Sequence, residues 1–220
     1  LVAQAQLLLQ MQQPQEAMRL LDEALASSPD DPALLAAHAQ LYVIQAQAAT
    51  ERGARDEAEK LLNEGLDHYP KNMALRYSLA LLYEDQDRNR KALDMLQSLA
   101  KENPDDSAIL NAYGYLLTDH FNRHEEARGY IERALALNPD SAAIIDSMGW
   151  VLYKLGDYRA AADYLERAYR LDQDPEIAAH LIDVRWQLGE RDGALELLRQ
   201  SLEANPDSQH LKEVHERLEP

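Results

Sequence analysis

Small and apolar residues return along this chain at an interval close to 34, with a proline or its stand-in closing each period. The closing positions are Pro29, Pro70, Pro104, Pro139, Gln173 and Pro206. Twelve residues before each stands an alanine: Ala17, Ala58, Ala92, Ala127, Ala161 and Ala194. Five before lie Ala24, Gly65, Leu99, Ala134, Ala168 and Ser201, and ten after the first four lie Ala39, Ala80, Gly114 and Gly149. Side chains this small let two helices cross closely while their larger neighbours interdigitate, so each period predicts a packed pair, helix A then helix B. Proline ends helix B because it cannot continue one, and Asn103 to Ser107 and Asn138 to Ser141 offer capping side chains for the helix that follows. Gly53, Gly156 and Gly189 fall where helix A turns into helix B, as C-cap glycines would.

The periods divide the chain into repeats at 1–31, 32–72, 73–106, 107–141, 142–174 and 175–207, followed by a capping helix over 208–220, thirteen helices in all. Leu211, Val214 and Leu218 mark the buried side of a last helix running from Ser208 to Glu219. Three irregularities carry expectations. The second repeat has seven extra residues between Tyr42 and Gly53, two helical turns that lengthen its helix A and keep its apolar face in phase. The fourth has one extra residue near His120 to His124, which predicts a widened turn. The sixth has Ile182 where a small residue is expected, which predicts a looser helix pair.

Composition agrees with an all-α chain: 46% hydrophobic and 6% aromatic, rich in Ala, Leu, Gln, Glu and Arg. The formal charge of −17, from 39 acidic and 22 basic residues, repels phosphate backbones and anionic membrane surfaces. No apolar run approaches the ~18 residues a membrane-spanning helix needs. The absence of cysteine removes disulfides and thiol chemistry, and it fits cytoplasm and periplasm equally.

Candidate chemistry is sparse. His120 and His124 have the i, i+4 spacing of paired metal ligands, but they straddle a helix turn with no HExxH or cysteine nearby, so they read as structural or exposed histidines and no metal is expected. Acidic pairs such as Asp105-Asp106 and Glu125-Glu126 sit at helix starts, where the macrodipole favours them. No GxSxG, P-loop or GxGxxG occurs, so neither an enzyme nor a cofactor is expected.

The Ala–small–Pro pattern resembles the tetratricopeptide-repeat (TPR) family over essentially the whole chain. The resemblance implies a right-handed α-solenoid of about six helix-turn-helix repeats with a C-terminal cap, whose work is binding protein. In that arrangement helix A of each repeat lines the concave side, and the positions out of phase with the packing residues face the groove. They are Tyr77, Leu81, Glu84 and Asp85 in the third repeat, and Asn111, Tyr115, Thr118 and Asp119 in the fourth. The fifth offers Asp146, Trp150, Tyr153 and Lys154, and the sixth Glu176, Asp183, Trp186 and Gln187. Tyr77, Tyr115, Trp150, Tyr153 and Trp186 thus form an aromatic row flanked by polar groups, the residue types that anchor protein interfaces, unless individual rings pack between neighbouring A helices. Acidic groups outnumber Lys154 along the row, which predicts a ligand with basic and apolar residues. TPR domains that grip acidic chaperone C-termini carry Lys, Arg and Asn at inward positions, so that mode does not fit.

The stretch from Asn111 to Gly189, including DSMGWVLYKLGDYRAAADYLERAY, is similar to bacterial TPR lipoproteins of the Gram-negative outer membrane that serve as adaptors of a periplasmic carboxyl-terminal processing protease. That resemblance implies a non-catalytic adaptor binding the protease and its cell-wall hydrolase substrates, on the periplasmic face of the outer membrane through a lipid anchor beyond these residues. Two alternatives stay open: a cytoplasmic TPR scaffold of a multiprotein complex, and the TPR part of a larger enzyme. Self-association through an apolar face at the N-terminal end is a further expectation.

Overall fold

A computed structural model describes residues 1–11 and 13–218. All regular structure among them is helical: α1 (Val2–Gln10), α2 (Pro14–Ser27), α3 (Pro32–Glu51), α4 (Arg55–His68), α5 (Met73–Asp85), α6 (Asn89–Glu102), α7 (Ser107–Phe121), α8 (His124–Leu137), α9 (Ala142–Leu155), α10 (Tyr158–Leu171), α11 (Pro175–Gln187), α12 (Arg191–Ala204) and α13 (Gln209–Leu218). The thirteen expected helices are present. Each closing residue, Pro29 through Pro206, lies two positions past the end of a B helix. Asp106 caps α7, accepting from the N–H groups of Ala108 and Ile109 at 3.0 Å, whereas Ser141 makes no side-chain cap bond to α9.

The small positions are where the sequence placed them in every repeat but the second. All six alanines twelve before the closing residue are fully buried. A Cβ added to Gly149 would stand 2.5 Å from Leu165 Cγ and 3.2 Å from the Ala161 carbonyl, and one added to Gly114 would stand 2.6 Å from Ile131 Cγ1. The crossing of helices A and B is therefore closed to the size of one hydrogen atom.

The chain forms two compact units, Leu1–Leu99 and Ala100–Pro220. In the first, α3 is 20 residues long where α5 and α9 have 13 and 14, as the seven-residue excess required. The two ends of α3 do different work. Ala33, Ala36, Ala37, Gln40 and Ile44 line a hollow of about 370 Å³ with Val2, Ala5 and Leu9 of α1. Ala46, Gln47, Thr50 and Glu51 line another, of about 540 Å³, with Ser78, Leu81, Leu82 and Asp85 of α5 and Leu62 of α4. Counting twelve back from Ala58, as Gly149 is twelve before Ala161, makes Ala46 rather than Ala39 the small residue at the α3–α4 crossing; both are buried. Leu1, Leu7 and Met11 leave an exposed apolar surface on and beside α1.

In the second unit the extra residue of the fourth repeat sits in the last turn of α7. The closing hydrogen bond from Arg123 N–H to the Leu117 carbonyl spans six residues, whereas its counterparts, Asp157 to Leu152 and Glu190 to Arg185, span five. Asn122 takes the left-handed conformation there, φ 53°, in the place Gly156 holds at φ 88°. Ile182 is fully buried, and the backbones of α11 and α12 approach over a shorter stretch than those of α9 and α10. Leu211 and Val214 of α13 are buried against α11 and α12. Glu219, the expected end of that helix, lies outside the described residues.

Candidate protein-binding face

Each A helix from α3 onward presents one position eleven residues before its B-helix alanine, or twelve in the fourth repeat with its extra residue: Gln47, Leu81, Tyr115, Trp150 and Asp183. Four of these five belong to the row expected from the sequence. The structure gives them unequal exposure.

In the first unit Leu81 is exposed on α5, with Tyr77 and Glu84 half-buried beside it and Asp85 exposed. Arg55 holds Asp85 through two bonds, Nε at 2.5 Å and Nη2 at 3.0 Å. The guanidinium keeps the Asp85 carboxyl below its ordinary range.

In the second unit the row turns inward. Trp150 is buried, 7% exposed, so it is not the open interface ring the sequence suggested. Its ring lies 4.0 Å from that of His180 and 4.9 Å from that of Tyr153, both stacked, and its Nε1–H donates to Asp119 at 3.2 Å. The Lys154 ammonium stands 4.3 Å from the indole centre. Asp146 and Asp183, also expected on the open side, are buried. Asp146 accepts from His180 Nδ1 at 2.9 and 3.1 Å, and Asp183 accepts from Arg217 of α13. Tyr115 donates its hydroxyl to Glu176 at 2.5 Å, joining α7 to α11.

The reason is the distance between neighbouring A helices. A ring on one helix reaches the groove only if nothing on the next helix meets it, and here His180 and Asp119 do. Open to solvent are Lys154, Gln187 and much of Asp119, while Tyr153, Trp186 and Asn111 are half-buried. Thr118 is buried and donates to the Gly114 carbonyl. His120 lies near the end of α7 and His124 opens α8, on either side of the turn.

Burial and the neighbouring carboxylates together set the protonation of this cluster. It drives Tyr115 upward, with the Glu176 carboxylate adding to the effect, and it drives Asp183 upward against the pull of Arg217. Burial opposes a charge on His180, but the Asp146, Glu176 and Asp183 carboxylates outweigh it and raise the imidazole above its usual value. His180 and Arg217 had escaped the sequence reading. The signal was present: each stands 34 residues after its aspartate, one repeat period.

Family models described as tetratricopeptide repeat match residues 49–114 and 152–218, and a further one matches residues 1–41. The chain is 36% identical over 179 residues to the TPR repeat-containing protein PA4667 of Pseudomonas aeruginosa, a match covering 81% of this chain. It spans 29% of that relative's length. Among solved structures, the TPR protein TTC0263 of Thermus thermophilus is similar with a TM-score of 0.70 at 22% identity, over 82% of this chain and 98% of that one. A TPR protein of Parabacteroides merdae gives 0.72 at 16% identity, covering 99% and 83%, and pilF of Pseudomonas aeruginosa gives 0.68 at 19%, covering 98% and 95%. At these identities the structures speak to fold alone. Repeat spacing, helix pairing and matches over most of the chain agree, and the protein belongs to the tetratricopeptide-repeat family.

Proposed function

We propose that this chain is a non-catalytic adaptor whose A helices hold a protein partner. TPR domains are protein-interaction scaffolds. The observation that carries the reading is the succession of half-buried aromatic rings with exposed polar neighbours on the A helices of the second unit, Tyr153 beside Lys154 and Trp186 beside Gln187. Such rings combine apolar area with a polar edge at small entropic loss. The net charge of −17 favours a partner surface with basic and apolar residues.

The finer assignment rests on the resemblance of Asn111 to Gly189 to outer-membrane TPR lipoproteins such as LbcA, adaptor of the protease CtpA. On that reading the partner is a periplasmic carboxyl-terminal processing protease, the substrates delivered are cell-wall hydrolases, and the site of action is the periplasmic face of the outer membrane. Catalysis belongs to the partner.

The test is a pull-down from a Gram-negative periplasmic extract, comparing the wild-type chain with a Trp186→Ala/Gln187→Arg variant at low and moderate salt. Recovery of the protease, lost in the variant and weakened by salt, supports partner and face together. Equal recovery by both proteins keeps the partner and removes this face. Recovery of neither protease nor hydrolase overturns the periplasmic assignment in favour of a cytoplasmic scaffold.

A further inference from the structure

The repeat carries its own template for what should occupy the hollow between α3 and α5. In the second unit the corresponding position, twelve before the B-helix alanine on α7 and eleven on α9, is aromatic on both facing helices: Tyr115, half-buried, and Trp150, whose buried indole reaches from α9 across the space to α7. The acid one turn further along α7, Asp119, accepts the Trp150 N–H, and Lys154 lies over the indole. In the first unit the same positions are Gln47 on α3 and Leu81 on α5. Neither can fill the space, and the hollow of about 540 Å³ stands open, its floor made by Ala46, Leu62 and Leu82 and one wall by the exposed Leu81. That volume lies within the roughly 300–1,000 Å³ of sites that take small ligands or single anchoring side chains.

The acid recurs without its partner, and the cation does not recur. Glu51 stands where Asp119 does, exposed, with no indole N–H to receive and no ion pair among the described residues. The place of Lys154 is taken by Asp85, which Arg55 occupies from outside the lining. Both ionisable residues of the lining are therefore acidic. Gln47 and Ser78 add polar groups on opposite walls.

We infer that this hollow is an anchor site for a partner-protein segment that carries a tryptophan followed by a basic residue. The indole stands to Glu51 as Trp150 stands to Asp119, donating its N–H, and the cation supplies the positive charge that Lys154 supplies there. The inference rests on the reading of the A helices as a protein-binding surface, but it concerns a different unit from the face probed by the pull-down.

The experiment is an NMR titration of the isotope-labelled chain with the synthetic hexapeptide Gly-Ser-Trp-Arg-Ser-Gly. The expected result is saturable shifts of the Gln47, Glu51, Ser78 and Leu81 amides. They should be absent when serine replaces the peptide's tryptophan, and absent in Leu81→Trp, whose own ring fills the hollow. Glu51→Gln should weaken binding about threefold to fivefold, the scale of one exposed ion pair. Leu81 is on the surface, so the variant keeps the fold, which circular dichroism verifies. No saturable shift at these amides, or equal binding by Leu81→Trp and wild type, overturns the inference. Because the titration contains no protease, its failure is distinguishable from failure of the pull-down: saturation here without protease capture keeps the anchor site and removes only the partner.

Discussion

The close crossing of α9 and α10 can be tested by adding one methyl group. In Gly149→Ala the new Cβ meets Leu165 Cγ at 2.5 Å and the Ala161 carbonyl at 3.2 Å. Cγ lies near the root of its side chain and the carbonyl is backbone, so neither yields by rotating a flexible tip. Overpacking of this kind costs about 1–3 kcal/mol, and the upper end applies when the obstruction is rigid. Alanine is about 1 kcal/mol better than glycine inside a helix, which leaves a net loss of about 2 kcal/mol. Gly193 of α12 is the matched control: it is helical, and an added Cβ meets nothing within 4 Å. Gly193→Ala should be up to about 1 kcal/mol more stable than wild type, so the two substitutions differ by about 3 kcal/mol with opposite signs. Guanidinium unfolding followed by circular dichroism reads the difference, and amide exchange in α9 and α10 locates it. A Gly149→Ala protein as stable as wild type would refute the claim that this crossing has no room for a Cβ.

His180→Ala should lose about 3–5 kcal/mol, because it leaves Asp146 buried without its partner, measured by the same unfolding series. With its folded value raised, His180 contributes stability that is present below its ordinary unfolded value and lost as pH rises through the raised one, so stability should fall on the alkaline side and Asp146→Asn should flatten that slope. Asn122→Ala should lose about 1 kcal/mol in a thermal melt, since alanine lacks the side chain that tolerates the left-handed conformation closing α7. Arg217→Ala should remove about 1–3 kcal/mol, the guanidinium being half-exposed and Asp183 buried, and amide exchange should quicken in α13 first.

Periodic contacts were legible in the sequence because they repeat: a small residue at a crossing leaves the same mark six times, and counting finds it. Which helix a side chain meets next was not. The phase of Trp150 on α9 gave an expectation of a groove position, but its burial depends on His180 and Asp119, which belong to neighbouring repeats. The error over Ala39 has the same origin: counting forward from Pro29 gives the level at which α3 starts, while counting back from Ala58 gives the level at which it meets α4. Left-handed turns were visible only where glycine marked them, and Asp87 and Asn122, at φ 58° and 53°, do the same work unannounced.

The lengthening of α3 preserves phase and changes height. Seven residues make close to two complete turns, so the apolar side of the helix keeps its direction, yet they advance it by about 10 Å along its axis. A regular repeat would set both neighbours of this helix at one level. Here α1 abuts the stretch ending at Ile44 and α5 the stretch beginning at Ala46, as two floors share one stairwell. A single extended chain following both hollows must climb by that amount, about three residues of strand, before it can anchor a second side chain. The spacing between the two hollows is thus written into the first unit as a length, and a segment entering both would need its side chains at that separation.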